Sequence, residues 1–388
     1  MCIRDRYKVS GRRWKEIFKR KFQIYSIEIL SVCVLIAGII FISFFNLPDF
    51  IENYTMDLRF KSRKPQKQNE DIIIIEIAKD TLDKLNNRFP IPRRNYANLI
   101  TALSLYKPKV IAFDILFSEP SLSTMDFHSF KLYLRNSGNQ FDDEKLKSIY
   151  QNYLQTGILS KIDDESFRIS MHKAGNVFLP YHFLFDRIKF DENGFFVASD
   201  IESIYLPFKK AIKGTGFINV DMREGKVRKI PLFIKYQNKV YRHILLSIVL
   251  DYLGIDEEDI RIEKGHIKLF NMSIPVDRNY QMTINWAGKW VDSFQHYSFI
   301  DIVTSYGQML KGEEPLIDLK TFKDKICIIG LTETGIGDAK IVPIENIIPG
   351  VGVWLHAINT ILTKSFIVEY PRELTFCYSL ALMLISIL

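Results

Sequence analysis

Two stretches decide the fold, Asp71-Ile72-Ile73-Ile74-Ile75-Glu76-Ile77 and Lys109-Val110-Ile111-Ala112-Phe113-Asp114-Ile115-Leu116-Phe117. Both are apolar, rich in β-branched residues and without polar alternation, a pattern typical of strands that are buried on both faces. Between them, residues 94–106 place apolar side chains at helical spacing. A strand, a helix and a strand within about 45 residues predict a βαβ unit with parallel strands.

The same texture returns later in the chain. Residues 176–180 predict a third strand, and residues 325–330 predict a further buried strand, which precedes a glycine-rich loop and a helix over 350–362. Residues 121–162 show weak helical spacing and no strand pattern, which indicates an inserted helical segment. Residues 166–174 then predict a helix.

The stretch from 216 to 286 has shorter, alternating segments. We predict antiparallel strands over 216–220 and 227–236, a turn at Gln237-Asn238, and a helix over 243–253 that Gly254 ends. Further hairpin strands follow around Gly265. The sequence therefore predicts one α/β domain: a largely parallel central sheet with helices on both faces, and an antiparallel extension.

Apolar segments flank this domain. Residues 1–21 contain nine Lys and Arg against two acidic residues, and residues 22–47 contain a single charge, Glu28. About 20 apolar residues are enough to cross a bilayer as a helix, so we predict a basic tail followed by a transmembrane helix. Residues 373–388 are apolar but too short to span. We expect them to be the truncated start of a second transmembrane helix, and the chain to be a fragment.

Charge predicts the orientation of the chain. The tail carries a net charge of +7, which equals that of the whole chain, so the rest is neutral. Lys and Arg beside a membrane helix stay in the cytoplasm. We therefore expect a protein of the cell (inner) membrane, with residues 48–372 in the periplasm or the extracellular space. A neutral folded part argues against a nucleic-acid partner. The alternative, a cleaved signal peptide, lacks a small-residue cleavage site near 44–48.

Five motifs occur in a characteristic order. The first motif follows the predicted membrane helix, and the last precedes the second apolar segment. The motifs therefore cover the region of about residues 48–370. Together they resemble the CHASE2 family, the extracytoplasmic sensory domains of bacterial signalling proteins. Ala78 and Ile91 depart from the family pattern, and residues 121–162 have no clear counterpart in it. The motifs are Asp57-Leu58-Arg59-Phe60; Phe89-Pro90-Ile91-Pro92-Arg93; Ile111–Phe117 with Glu119-Pro120; Gly216-Phe217-Ile218-Asn219 with Asp221; and Gly330 to Asp338 with Pro349-Gly350-Val351 and His356-Ala357.

The resemblance implies a function. CHASE2 domains are followed by about three membrane helices and then by a cytoplasmic nucleotide cyclase, histidine kinase or Ser/Thr kinase, which act as pairs. We therefore expect the sensor domain of a membrane-bound receptor, which forms a homodimer and responds to a small molecule or an environmental signal. The effector is missing from this chain, and this segment is expected not to be an enzyme.

Polar residues follow two of the predicted strands. Ligands of open α/β sheets bind outside the carboxyl ends of the strands, which predicts a ligand site there. The alternative is structural: Asp114 caps a turn, and Asp338 accepts hydrogen bonds from loop amides. The candidate residues at these strand ends are Asp114, Ser118, Glu119, Thr332 and Asp338.

Arg93 is a further candidate, because it follows two prolines at a predicted helix start. It either binds an anion with the helix amides or pairs with a carboxylate such as Asp57 or Asp114, and the second interpretation is favoured. The seven His show no HxH or HExxH spacing, so neither a metal nor a cofactor is predicted. Two other functions stay open: an anchored hydrolase that uses Asp114 and Asp338, and a structural module that assembles partners.

Overall fold

The structure is a computed structural model, which describes residues 47–85, 89–121, 127–136, 142–221, 225–333, 335 and 337–369. The chain divides into two compact units, residues 1–63 and 64–388. The described part of the first unit is a helix over Leu47–Ser62, on which Arg59 and Glu52 pair at 2.6 Å. Among the described residues, no helix combines the length and the apolar character that a bilayer crossing requires. The predicted membrane segments, 22–47 apart from its last residue and 373–388, lie outside the described residues.

The first unit contributes α1 to the described structure, and helices and strands alternate through the second unit. The helices are α1 Leu47–Ser62, α2 Lys79–Lys84, α3 Arg93–Ser104, α4 Phe127–Asn136, α5 Asp143–Gln155, α6 Ile158–Ala174, α7 Leu206–Lys209, α8 Ile244–Leu253, α9 Phe299–Leu310 and α10 Val351–Leu362. The strands are β1 Ile72–Ile77, β2 Val110–Asp114, β3 Val177–Leu184, β4 Phe196–Val197, β5 Asp200–Glu202, β6 Gly214–Phe217, β7 Lys229–Pro231, β8 Phe233–Tyr236, β9 Lys239–Arg242, β10 Ile260–Glu263, β11 His266–Leu269, β12 Met272–Pro275, β13 Gln281–Thr283, β14 Gln295–Ser298, β15 Ile326–Leu331, β16 Ala339–Lys340 and β17 Ile348–Pro349.

The central sheet has seven strands. Its parallel strands follow the order β14-β1-β15-β2-β3-β6, and β5 pairs with β3 in the antiparallel direction. The βαβ unit predicted from residues 71–117 is confirmed as β1, α3 and β2, although β15 lies between the two strands. The sheet is therefore mixed, with the predicted parallel strands at its centre.

Helices cover both faces of this sheet, as predicted. Ile73 and Ile75 face a core that includes Leu99 of α3, Phe167 of α6 and Phe299 of α9. Ile72 and Ile74 are equally buried and, since side chains alternate along a strand, face the opposite side. There α10 packs on β1 and β15, and α8 packs on β2, β3 and β6. Burial on both faces explains why these strands are uniformly apolar.

The antiparallel strands were predicted as an extension of the central sheet, and this was wrong in its topology. They lie in separate small sheets: β10-β11-β12, β13-β7 and β4-β8-β9, in the last of which β4 pairs with β8 in the parallel direction. Strands β16 and β17 form a further antiparallel pair. The strand predicted over 216–220 instead begins at Gly214 and joins the central sheet parallel to β3. Gly216 permits this, because a Cβ there would lie 2.4 Å from the backbone nitrogen of Ile244 at the start of α8.

The inserted segment is helical, as predicted. Residues 127–136, 143–155 and 158–174 form α4, α5 and α6, so the helix expected over 166–174 begins earlier than predicted. Apolar side chains of α4 and α5 form a small core of their own with α6. Its buried members are Phe130, Leu134, Leu146 and Leu159.

Candidate functional site

The carboxyl end of the central sheet brings several of the predicted site residues together. Asp114 ends β2, directly opposite Gly330 of β15. Because these strands are parallel, the loops that follow them leave the sheet at the same edge. The predicted candidates Ser118, Thr332 and Asp338 lie on those loops, and the structure divides them between two polar groups.

Asp114 and Asp338 belong to the first group. Burial and, to a smaller extent, the neighbouring Asp338 carboxylate together raise the pKa of Asp114 to about 7, although the Lys340 charge opposes the rise. Lys340 Nζ lies 2.9 Å from Asp338 Oδ2, and the lysine side chain is largely buried although Asp338 is exposed. Two carboxylates and one ammonium group therefore share this edge, and Asp114 binds a proton more readily than an ordinary carboxylate.

Ser118 connects this group to the next strands. Its hydroxyl donates a hydrogen bond to Glu202 Oε1 at 2.7 Å, and Glu202 lies opposite His182 in the β3–β5 pair. Burial lowers the pKa of His182, and the Lys340 charge lowers it further, whereas Glu202 and Asp338 act in the opposite direction. We call the residues Asp114, Ser118, His182, Glu202, Asp338 and Lys340 the edge cluster.

Three members of the edge cluster were not predicted. Lys340 is two residues after Asp338, a spacing that places both side chains on one side of an extended chain, so this signal was present in the sequence. His182 follows the residues that were read as the third strand, which in fact continues to Leu184. Glu202 had no sequence signal, because β5 is only three residues long.

Thr332 belongs to a second polar group, at the ends of β1 and β14. Its hydroxyl donates to Glu76 Oε2 at 2.8 Å, and the other oxygen of Glu76 contacts His296 Nδ1. His296 Nε2 lies 2.8 Å from the Ser293 carbonyl oxygen. Burial alone lowers the pKa of His296, but the hydrogen bonds to Glu76 and Ser293 outweigh it and raise the pKa above its ordinary value.

Arg93 lies in a buried ion pair. Its guanidinium donates to Asp164 Oδ1 at 2.7 Å and to the backbone carbonyl of Glu119, and it lies over the rings of Phe117 and Phe208. The partner is Asp164 of α6, where the sequence suggested Asp57 or Asp114. The predicted candidate Glu119 thus contributes its backbone, while its side chain is exposed.

Asp164 also holds the chain after β2. Its carboxylate accepts the backbone N–H of Ser121 at 3.2 Å, so one buried ion pair joins α3, α6 and the start of the inserted segment. This geometry favours the structural interpretation of the arginine.

No group of three or more His, Cys, Asp and Glu within the described ranges has the geometry of a metal site.

Comparison with known proteins gives one match. The family model of the CHASE2 domain matches residues 31–388. No curated protein and no solved structure matches the chain.

Proposed function

The chain belongs to the CHASE2 family of extracytoplasmic sensory domains, and we propose that it is the sensory part of a membrane-bound signal transduction receptor. The family match over residues 31–388 is the observation that carries this proposal. The domain binds a small molecule or responds to an environmental signal, and the change passes through transmembrane helices to a cytoplasmic cyclase or kinase. The receptor is a homodimer, since such effectors act as pairs.

The proposed topology follows from the charge distribution. Residues 1–21 form a basic cytoplasmic tail, 22–47 form a transmembrane helix, and 48–372 form the sensor domain, with the insertion at 121–162. Residues 373–388 begin a second transmembrane helix. The net charge of +7 on the tail supports this arrangement, because positive residues beside a membrane helix remain inside.

We propose the edge cluster as the ligand site of the sensor. It lies outside the carboxyl ends of parallel strands, where open α/β sheets bind ligands. Asp114 and Asp338 repel each other, so a ligand that presents an ammonium or hydrogen-bond donor groups to them gains more than one that presents an anion. In this proposal Arg93, Glu119 and Thr332 support the site without contacting the ligand.

The signal leaves the domain through α10. Asn359 of this helix accepts the Asn69 N–H at 2.8 Å and donates to the Lys67 carbonyl at 3.2 Å. Beyond the helix, Glu369 accepts from Lys229 Nζ at 2.6 Å and from Thr283 Oγ1 at 2.7 Å. The Asn359 contacts tie the start of the second unit to α10, and the Glu369 contacts tie the segment after α10 to β7 and β13. We propose that a shift of α10 changes these contacts and so moves the segment that leads to the second membrane helix. The ligand drives this shift by its differential affinity for the two arrangements.

Accessibility of single cysteines tests the topology. Cys327 is fully buried, so it does not react, and Cys2, Cys33 and Cys377 are replaced by Ser. We expect a cysteine at the exposed position Glu192 to react with a membrane-impermeant maleimide in intact spheroplasts. A cysteine in the tail, Ser10→Cys, is expected to react only after lysis. Labelling of the tail in intact spheroplasts together with protection of position 192 would reverse the topology and refute the receptor proposal.

An anchored hydrolase is the second candidate, and the raised pKa of Asp114 is the observation that favours it, because a general acid must hold its proton near neutral pH. To distinguish the hydrolase from the sensor, the purified chain is assayed for product release from a panel of phosphate esters, glycosides and peptides. Turnover that disappears in Asp114→Asn supports the hydrolase. Ligand binding without turnover supports the sensor.

A further inference from the structure

A small cavity lies beyond the ends of β3 and β6, separate from the edge cluster. Its volume is about 110 Å³. Phe185, which follows β3, and Phe196 of β4 form part of its wall, and Pro231 and Ile234 complete the apolar surface. The cavity therefore offers two aromatic rings and aliphatic groups to whatever occupies it.

The polar side chains at the cavity are engaged in the fold. Asn219 accepts the Phe183 N–H at 2.9 Å and donates to the Phe183 carbonyl at 2.8 Å, so its amide continues the hydrogen bonding of the sheet. Asp221 accepts from Gln281 Nε2 at 2.7 Å. Because Asn219 and Asp221 already have hydrogen-bond partners in the fold, the surface left to an occupant is mainly apolar.

The cavity can be reached from solvent. Ile188 lines it and is 52 % exposed, which places this side chain at the mouth. Deep in the wall, Ile234 is 1 % exposed. A molecule that fills the cavity removes the apolar surface of its wall from water, which favours binding.

We propose that this cavity is a binding site for a small, uncharged and mainly apolar molecule, no larger than one aromatic ring with a small substituent. An enclosed apolar cavity of roughly 150 Å³ holds benzene, so a smaller cavity with an open side accommodates one aromatic ring with a small substituent and excludes a fused ring system. The inference does not rest on the receptor proposal, because binding is measured directly and needs neither a topology nor an effector.

Fluorobenzene is the probe, and its binding to the full chain is followed by ¹⁹F NMR. We expect saturable broadening that toluene reverses. Ile188→Trp places a large side chain at the mouth and is expected to raise the Kd of fluorobenzene at least tenfold. Ile188 is half-exposed, so this substitution leaves the core intact. Ile262→Trp is the matched control, since Ile262 is 38 % exposed on β10 in a different sheet.

Both variants are measured at the same detergent concentration, so partition of the probe into micelles is equal. The result that supports the site is binding by the wild type and Ile262→Trp, with weakened binding by Ile188→Trp. Absence of saturable binding by the wild type up to the solubility of fluorobenzene overturns the proposal. Equal Kd values in the two tryptophan variants overturn it as well.

Discussion

Replacing Asp114 by Asn is expected to stabilise the protein at high pH and to have little effect at low pH. Burial beside the Asp338 carboxylate raises the pKa of Asp114 from 3.8 to about 7. Below pH 4 the carboxyl group is protonated in both the folded and the unfolded chain, so its titration contributes nothing. Between pH 4 and 7 only the folded chain keeps the proton, and stability therefore falls as the pH rises.

The magnitude follows from the width of this interval. One pH unit corresponds to about 1.4 kcal/mol, so the full destabilisation above pH 7 has a ceiling of about 4 kcal/mol. Asp114 is only partly buried by surface area, and solvent screening lowers the expected value to about 2 kcal/mol. Asn has nearly the same shape without the charge, so Asp114→Asn removes this penalty.

Urea unfolding of the purified chain at pH 5 and pH 8 measures the effect. We expect the free energy of unfolding of Asp114→Asn to exceed that of the wild type by about 2 kcal/mol at pH 8, and by clearly less at pH 5. Glu192→Gln, at an exposed site, is the control and is expected to show no pH-dependent difference. A difference that is equal at both pH values refutes the reasoning. Lower stability of the variant at pH 8 also refutes it, because the Asp114–Lys340 attraction would then dominate.

Three further predictions follow from other contacts. Asp164→Asn leaves the buried Arg93 without its carboxylate and is expected to lower the free energy of unfolding by about 3–5 kcal/mol in urea titrations. His296→Gln removes a group with a raised pKa, so the stability advantage of the wild type is expected below pH 6.5 and to decline as the pH rises above it; thermal unfolding from pH 5.5 to 8.5 measures this. Gly216→Ala drives a methyl group into the backbone of α8 and is expected to cost about 1–3 kcal/mol or more, whereas Gly307→Ala, with open space around it, is expected to be neutral or slightly stabilising in the same assay.

Each of these has a contrary outcome. If Asp164→Asn lowers the free energy of unfolding by less than about 1 kcal/mol, the ion pair contributes no more than an exposed surface pair, and the prediction is wrong. A pH-independent difference for His296→Gln contradicts the raised pKa. Equal effects of the two glycine substitutions contradict the close approach of β6 to α8.

The centre of the fold was predictable because it is buried on both sides. Strands β1, β2 and β15 are continuous apolar runs, and α3 and α10 show apolar spacing that matches the sheet faces. The edge strand β14 has the sequence Gln-His-Tyr-Ser and was missed, since it is partly exposed and lacks an apolar run. A strand is recognised in the sequence by its run of apolar residues, and only a buried strand has such a run. Central strands are therefore predicted more readily than edge strands.

The candidate site was predictable only in part. Asp114 and Asp338 were found because they follow recognisable strands. The partner of Arg93 was not found, since Asp164 lies 71 residues away on a helix whose length the sequence underestimated. Glu202 was missed because its place beside Ser118 depends on the pairing of β5 with β3, and no local pattern specifies that pairing.

The hydrogen bonds that join Asn359 to Asn69 and Lys67 bear on whether this domain can be moved between receptors. The chain that enters the second unit at Lys67 and Asn69 is thereby tied to α10, the last helix of the described residues, so the first and last elements of the unit are neighbours. A segment of this kind can be transplanted into an unrelated helical hairpin as a cassette, with little rearrangement of the host. Chimeric receptors cut at residue 64 and after residue 369 are the natural way to exchange it.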